Sequence, residues 1–126
     1  MSVTNLIKFL CLCNGGNVRS AALARYIKDL NGIYVKFSES TIPIKYESIS
    51  MGAHCSTIES LRYMIGWADR VIDLSDNDEE IQKLLQYLSG NKYIRVNIGG
   101  DVWGNSAHPN LLKKMEEVWK YVEERL

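Results

Sequence analysis

The chain has 126 residues, and its 15 lysines and arginines balance 15 aspartates and glutamates, so it has no general positive field to recruit nucleic acid or an anionic membrane; an anion would have to be held by local geometry. Hydrophobic residues at 46% and charged residues at 24% are the proportions of a single globular domain over residues 1–126, and no apolar run is long enough to cross a bilayer. Three cysteines, two of them separated by one residue, suggest neither a disulfide framework nor a zinc site, and a reduced, cytoplasmic setting is the default expectation.

In chain order, residues 6–12 form an apolar run with Lys8 inside it and no small-residue cleavage site after it, which reads as a strand covered on both faces rather than a signal segment. Asn-Gly-Gly follows. From Ser20, the apolar positions Leu23, Tyr26, Ile27 and Leu30 recur at helical spacing, and Asn31-Gly32 is a plausible stop. Residues 33–48 have a poor pattern and read as a long loop, with a short strand over 47–51. A helix is predicted over 58–67 and a strand over 70–74. The acids from Asp76 to Glu80 then read as the capped, solvated start of a helix whose apolar face is Ile81, Leu84, Leu85 and Leu88. A strand at 93–96 leads to a glycine-containing loop over 98–108. Pro109 suits the first turn of a last helix, with a buried stripe of Leu111, Leu112, Met115, Val118, Trp119 and Val122. Alternating strands and helices predict an α/β fold with a parallel sheet, whose ligands gather at the carboxyl ends of the strands.

The segment that carries chemistry is Cys13, Asn14, Gly15, Gly16, Asn17, Val18, Arg19 and Ser20, between the first strand and the first helix. Two glycines are expected to take positive φ and curl the backbone so that successive N–H groups point inward. The following helix N-terminus adds free N–H groups, and together they form a phosphate cradle. Arg19 can offer two phosphate oxygens a planar fork. The same donors would favour the reactive thiolate of Cys13, to which the Ser20 hydroxyl could donate. In-line attack of that sulfur on phosphorus would give a phosphocysteine, with no metal or other cofactor. The leaving alcohol needs a proton, and Asp101, in Gly99-Gly100-Asp101-Val102-Trp103-Gly104-Asn105, is the candidate general acid. Trp103 would wall the pocket beside an aryl group. Cys11 reads as core and Cys55 as a loop or helix-start residue, with pairing to Cys13 as its alternative.

With those residues in view, the chain resembles the low-molecular-weight protein tyrosine phosphatases, and more closely a short bacterial-type branch. The resemblance lies in 9–24, in Ser50-Met51-Gly52 at the end of the second strand, in 67–74, and in the loop from Asp101 to Asn105. It implies a flavodoxin-like three-layer sandwich with a four-stranded parallel sheet of order 2-1-3-4. It also implies a phosphocysteine mechanism on a phosphorylated protein or small phosphomonoester, in a monomer or weak dimer. The chain departs from the family at Val102 and Ala21, where proline is usual, and at Gly16 and Val18, where the family often has asparagine and a second cysteine. Two other functions share the loop. An arsenate reductase would need further cysteines or an external thiol, and a non-catalytic module that binds phosphorylated ligands would need neither Cys13 nor Asp101.

Overall fold

The first strand, β1 (Asn5–Cys13), is apolar on both faces because both faces are covered. Phe9, Cys11 and Cys13 face one core, while Leu10 and Leu12 face a second. In the computed structural model, which describes residues 5–15, 18–34, 44–76, 79–99 and 103–126, β1 is followed by α1 (Arg19–Tyr34), β2 (Ile44–Gly52), α2 (Ile58–Trp67), β3 (Arg70–Asp73), α3 (Glu79–Ser89), a short 3₁₀ turn (Gly90–Lys92), β4 (Tyr93–Arg95) and α4 (Pro109–Glu123). All strand pairs are parallel and the sheet order is β2-β1-β3-β4. This is the α/β, flavodoxin-like arrangement expected, with α1 and α4 packed on one face of the sheet and α2 and α3 on the other.

The first core is anchored by three aromatic side chains from three elements. Phe9, Tyr46 and Trp119 meet edge to face, with ring centroids 5.3–5.6 Å apart. Leu23 and Ile27 of α1 and Leu111, Met115, Val118 and Val122 of α4 close around them, all buried. The predicted stripe of α4 holds except at Leu112, which is 42% exposed; one helical step from Leu111, it falls on the solvent side. The second core joins Leu10 and Leu12 to Leu61, Ile65, Val71 and Leu85.

The expectation for residues 33–48 is corrected at both ends. Helix α1 runs on to Tyr34, through the predicted stop at Asn31-Gly32, and β2 begins at Ile44, so only 35–43 separate them. Residues 44–48 lack the continuous apolar run of β1 because β2 is an edge strand. It alternates buried Tyr46 and Ser48 with exposed Lys45, Glu47 and Ile49. Buried Ser48 is accommodated by donating its hydroxyl to the Ala24 carbonyl of α1. Among the described residues, no helix is long and apolar enough to cross a membrane.

Candidate active site

The sheet order puts a switch point between β1 and β3, and the candidate site lies at the carboxyl ends of those strands. Cys13 ends β1 and is 2% exposed. Its Sγ lies 3.0 Å from the Ser20 hydroxyl in the first turn of α1. Arg19 opens α1 and is 1% exposed, unusual burial for a guanidinium. Cys13, Arg19 and Ser20 are thus brought together. Val18 leads into α1, its carbonyl accepting from the Ala22 amide at 2.9 Å, and its side chain packs against the first core. Gly16, Asn17 and Asp101 lie outside the described residues.

A partner that the sequence reading did not single out holds the arginine. Asp76 follows β3 by three residues, and its Oδ1 accepts from Arg19 Nη1 at 2.7 Å. Its Oδ2 accepts from Asn14 Nδ2 at 2.8 Å, and its own amide donates to Asn14 Oδ1 at 2.7 Å. Asn14 and Asp76 therefore exchange paired hydrogen bonds across the switch point while Asp76 grips Arg19. The reading of Asp76 as part of a solvated helix start is corrected accordingly, since α3 begins only at Glu79 and Asp76 belongs to the site. The serine and acids nearby looked like capping chemistry, and an aspartate that caps cannot be told by spacing from one that holds a distant arginine.

The second grip on Arg19 comes from the loop after β4. Asn97 Oδ1 accepts from the Gly99 amide at 3.0 Å, making a local turn, and Gly99 takes φ 85°, a region open to glycine. The Gly99 carbonyl then accepts from Arg19 Nη1 at 3.0 Å. Arg19 Nε is buried, with no hydrogen-bond partner among the described residues.

The expected role of Gly15 is corrected too, because its φ is not positive. The glycine with a demonstrable steric duty is Gly52 at the end of β2, opposite Cys13 in the sheet register. A Cβ on Gly52 would come within 2.7 Å of the Gly15 carbonyl carbon and 2.8 Å of its oxygen, and would collide with the Cys55 thiol. The close passage of the loop over β2 therefore needs a residue with no side chain. Beyond the strand the contact continues. The Ala53 amide donates to the Cys13 carbonyl at 2.7 Å and the His54 amide to the Asn14 carbonyl at 3.1 Å. Exposed Cys55 sits in the same turn, its thiol 3.6 Å from the Gly15 carbonyl oxygen.

The other residues singled out from the sequence fall as follows. Cys11 is fully buried, and burial, with the neighbouring Cys13 second, pushes its thiol far up from its ordinary value, so it stays a neutral core residue. Trp103 is half-buried against the first core, with its ring edge to face with His108 at 5.7 Å. His108 caps α4, its Nδ1 accepting from the Asn110 amide at 3.2 Å.

No family model and no curated protein sequence matches this chain. Its structure is similar to that of YfkJ from Bacillus subtilis. The two share 16% sequence identity, with a TM-score of 0.51 over 95% of this chain and 96% of that one. The likeness is one of fold, and it extends over nearly the whole of both chains.

Proposed function

We infer that the chain is a cysteine-dependent phosphomonoester hydrolase of the low-molecular-weight protein tyrosine phosphatase type, acting on aryl phosphates such as phosphotyrosine. The observation that carries this reading is the junction of β1 and α1. There a buried cysteine with a serine hydroxyl 3.0 Å from its sulfur lies six residues before a buried arginine, at the sheet's switch point.

The chemistry follows from those groups. The Cys13 thiolate attacks phosphorus in line with the leaving oxygen, forming the S–P bond as the P–O bond to the alcohol breaks. Ser20, donating to the sulfur, helps hold it as the anion. Charge on the three equatorial oxygens is met by the loop amides and by Arg19, whose unpartnered Nε supplies a donor. Asp76 and the Gly99 carbonyl occupy Nη1 and hold the guanidinium plane, so Asp76 acts as a positioning residue. The alkoxide takes its proton from Asp101. The entry to its loop at Gly99, two residues earlier, touches Arg19, which favours that assignment. In the second step, water attacks the phosphocysteine while Asp101 accepts its proton, releasing phosphate and regenerating the thiolate. Trp103 is assigned to the wall of the aryl pocket.

The test is hydrolysis of p-nitrophenyl phosphate in EDTA and reductant by wild type and Cys13→Ser. Turnover that persists with EDTA and vanishes in the variant is expected. Undiminished turnover in Cys13→Ser would overturn the phosphocysteine mechanism. A folded wild type that binds phosphate without turnover would instead point to a phospho-ligand-binding module.

A further inference from the structure

At the β4 edge of the sheet, away from Cys13, lies a cavity of about 280 Å³ that the reaction above does not use. Its walls bring together three arginines: Arg70 from the start of β3, Arg95 from the end of β4 and Arg125 beyond the end of α4. Asn91, Tyr93 and Tyr121 lie between them. Among the described residues, no carboxylate lines it.

The counter-charges are unequally distributed. Arg95 lies 3.5 Å from the buried carboxylate of Asp73 and donates to the carbonyls of Asp73 and Ser75. That carboxylate also accepts from the Ser75 amide, the Ser75 hydroxyl and the Tyr93 hydroxyl, so its capacity is committed around Arg95. Arg70 donates Nη1 to the neutral carbonyl of Asp69 at 2.9 Å, and the Asp69 carboxylate itself accepts from the Lys8 amide. Arg125 lies over the Tyr121 ring, its guanidinium carbon 3.3 Å from the centroid, and donates to the Tyr121 carbonyl. Its ionic contact is Glu124 at 3.8 Å, whose side chain is 77% exposed, an arrangement that offsets little charge in water. Arg95 Nη2 is buried, with no hydrogen-bond partner among the described residues. Two guanidinium charges with no buried counter-ion among the described residues, and a third that shares the committed carboxylate of Asp73, line one concave space.

We propose that this cavity is a binding site for a phosphate group, held by Arg70, Arg95 and Arg125 and separate from the Cys13 loop. Planar guanidinium forks match tetrahedral oxyanions, and an anion there relieves the mutual repulsion of the three. The stacked Tyr121 ring limits the freedom of Arg125, which lowers the ordering cost of binding. The ligand is either free phosphate or the phosphate of a small organic ester, for which the remaining volume has room. The site stands whether or not Cys13 is catalytic.

The experiment is a titration of ¹⁵N-labelled wild type with inorganic phosphate, followed by NMR at the backbone amides and arginine Nε–H groups, with chloride at matched ionic strength as control. Glycerol phosphate is titrated into Cys13→Ser in parallel. Saturable shifts are expected at Asn91, Tyr93 and Arg95, distinct from any at residues 13–20. In Arg70→Gln/Arg125→Gln the cavity affinity should fall on the order of tenfold or more, while the loop signals keep theirs. The single Arg125→Gln variant serves if the double variant does not fold. Tighter binding of the ester identifies an organic phosphate as ligand, and equal binding identifies free phosphate. Cavity shifts that chloride reproduces, that do not saturate, or that persist unchanged in the arginine variants would overturn the site, whatever happens at residues 13–20.

Discussion

Asp76 places its two carboxylate oxygens on different elements of the same site, one 2.7 Å from Arg19 Nη1 at the start of α1 and the other 2.8 Å from Asn14 Nδ2 after β1. The loop that begins at Cys13 is thereby tied, at both its first side chain and its arginine, to the segment after β3. Half of the Asp76 side chain is open to solvent, so its worth lies in orientation more than in a buried ion pair.

If that orientation matters for turnover, Asp76→Ala should lower kcat/KM by about tenfold to a hundredfold, the value of a hydrogen bond to a charged group. Inhibition by inorganic phosphate should weaken alongside it. Asp76→Asn, which can keep one acceptor on Arg19, should recover part of the loss. Steady-state kinetics with p-nitrophenyl phosphate checks this, and equal loss in both variants would show that charge rather than geometry is at stake.

Asp101→Ala should reduce turnover by about 10²–10⁴ with a poor leaving group. The loss should shrink as the leaving group improves, because a stable phenolate needs no proton. A series of substituted phenyl phosphates measures the trend, and a uniform loss across it would remove Asp101 from the role of acid.

Gly52→Ala should be costly for its size. The new methyl meets the Gly15 backbone, which cannot swing aside as a side-chain tip can, and the expected loss is about 1–3 kcal/mol of stability. Because the displaced backbone belongs to the Cys13 loop, phosphate affinity should fall as well. Denaturant unfolding and phosphate titration of the same variant test both halves.

Stability should decline in alkali through Tyr93. Its hydroxyl is pushed above the ordinary value of 10.0, first by burial and then by donating to the Asp73 carboxylate. The unfolded chain thus gives up this proton at a lower pH than the folded protein. The contribution is intact below about pH 10 and is lost as pH rises towards the folded value. Buried Cys11, raised in the same direction, begins to act from about pH 8.5. Urea midpoints across alkaline pH should fall steadily, and Tyr93→Phe should flatten the part above about pH 10 while losing about 1.5–3 kcal/mol at neutral pH. A slope above pH 10 unchanged in that variant would count against this account.

Much of the architecture was legible because its signals are local. The two-sided apolar run of β1, the helical spacing in α1, α3 and α4, and Pro109 at a helix start each report on their own neighbourhood. Edge strand β2 was only half legible, since a strand with one exposed face and Ser48 buried on a backbone carbonyl carries no continuous apolar signature. Within the site, Cys13, Arg19 and Ser20 announce themselves by spacing. Asp76 does not, because its partners lie about sixty residues away and only the order of the strands brings them together. Gly52 is similar. Its motif position was visible, but the reason for glycine there is the passage of Gly15 overhead.

The two hydrogen bonds from the Ala53 and His54 amides to the carbonyls of Cys13 and Asn14 tie the start of the loop to the turn that follows β2. The first residues of the loop are therefore held at their carbonyls by a neighbouring segment of the same fold. For Cys13 and Asn14, part of the ordering entropy is then spent when the protein folds rather than when a ligand arrives. The amides of Ala53 and His54, which donate these bonds, should accordingly exchange with solvent at rates closer to those of the strand that precedes them than to those of an open turn.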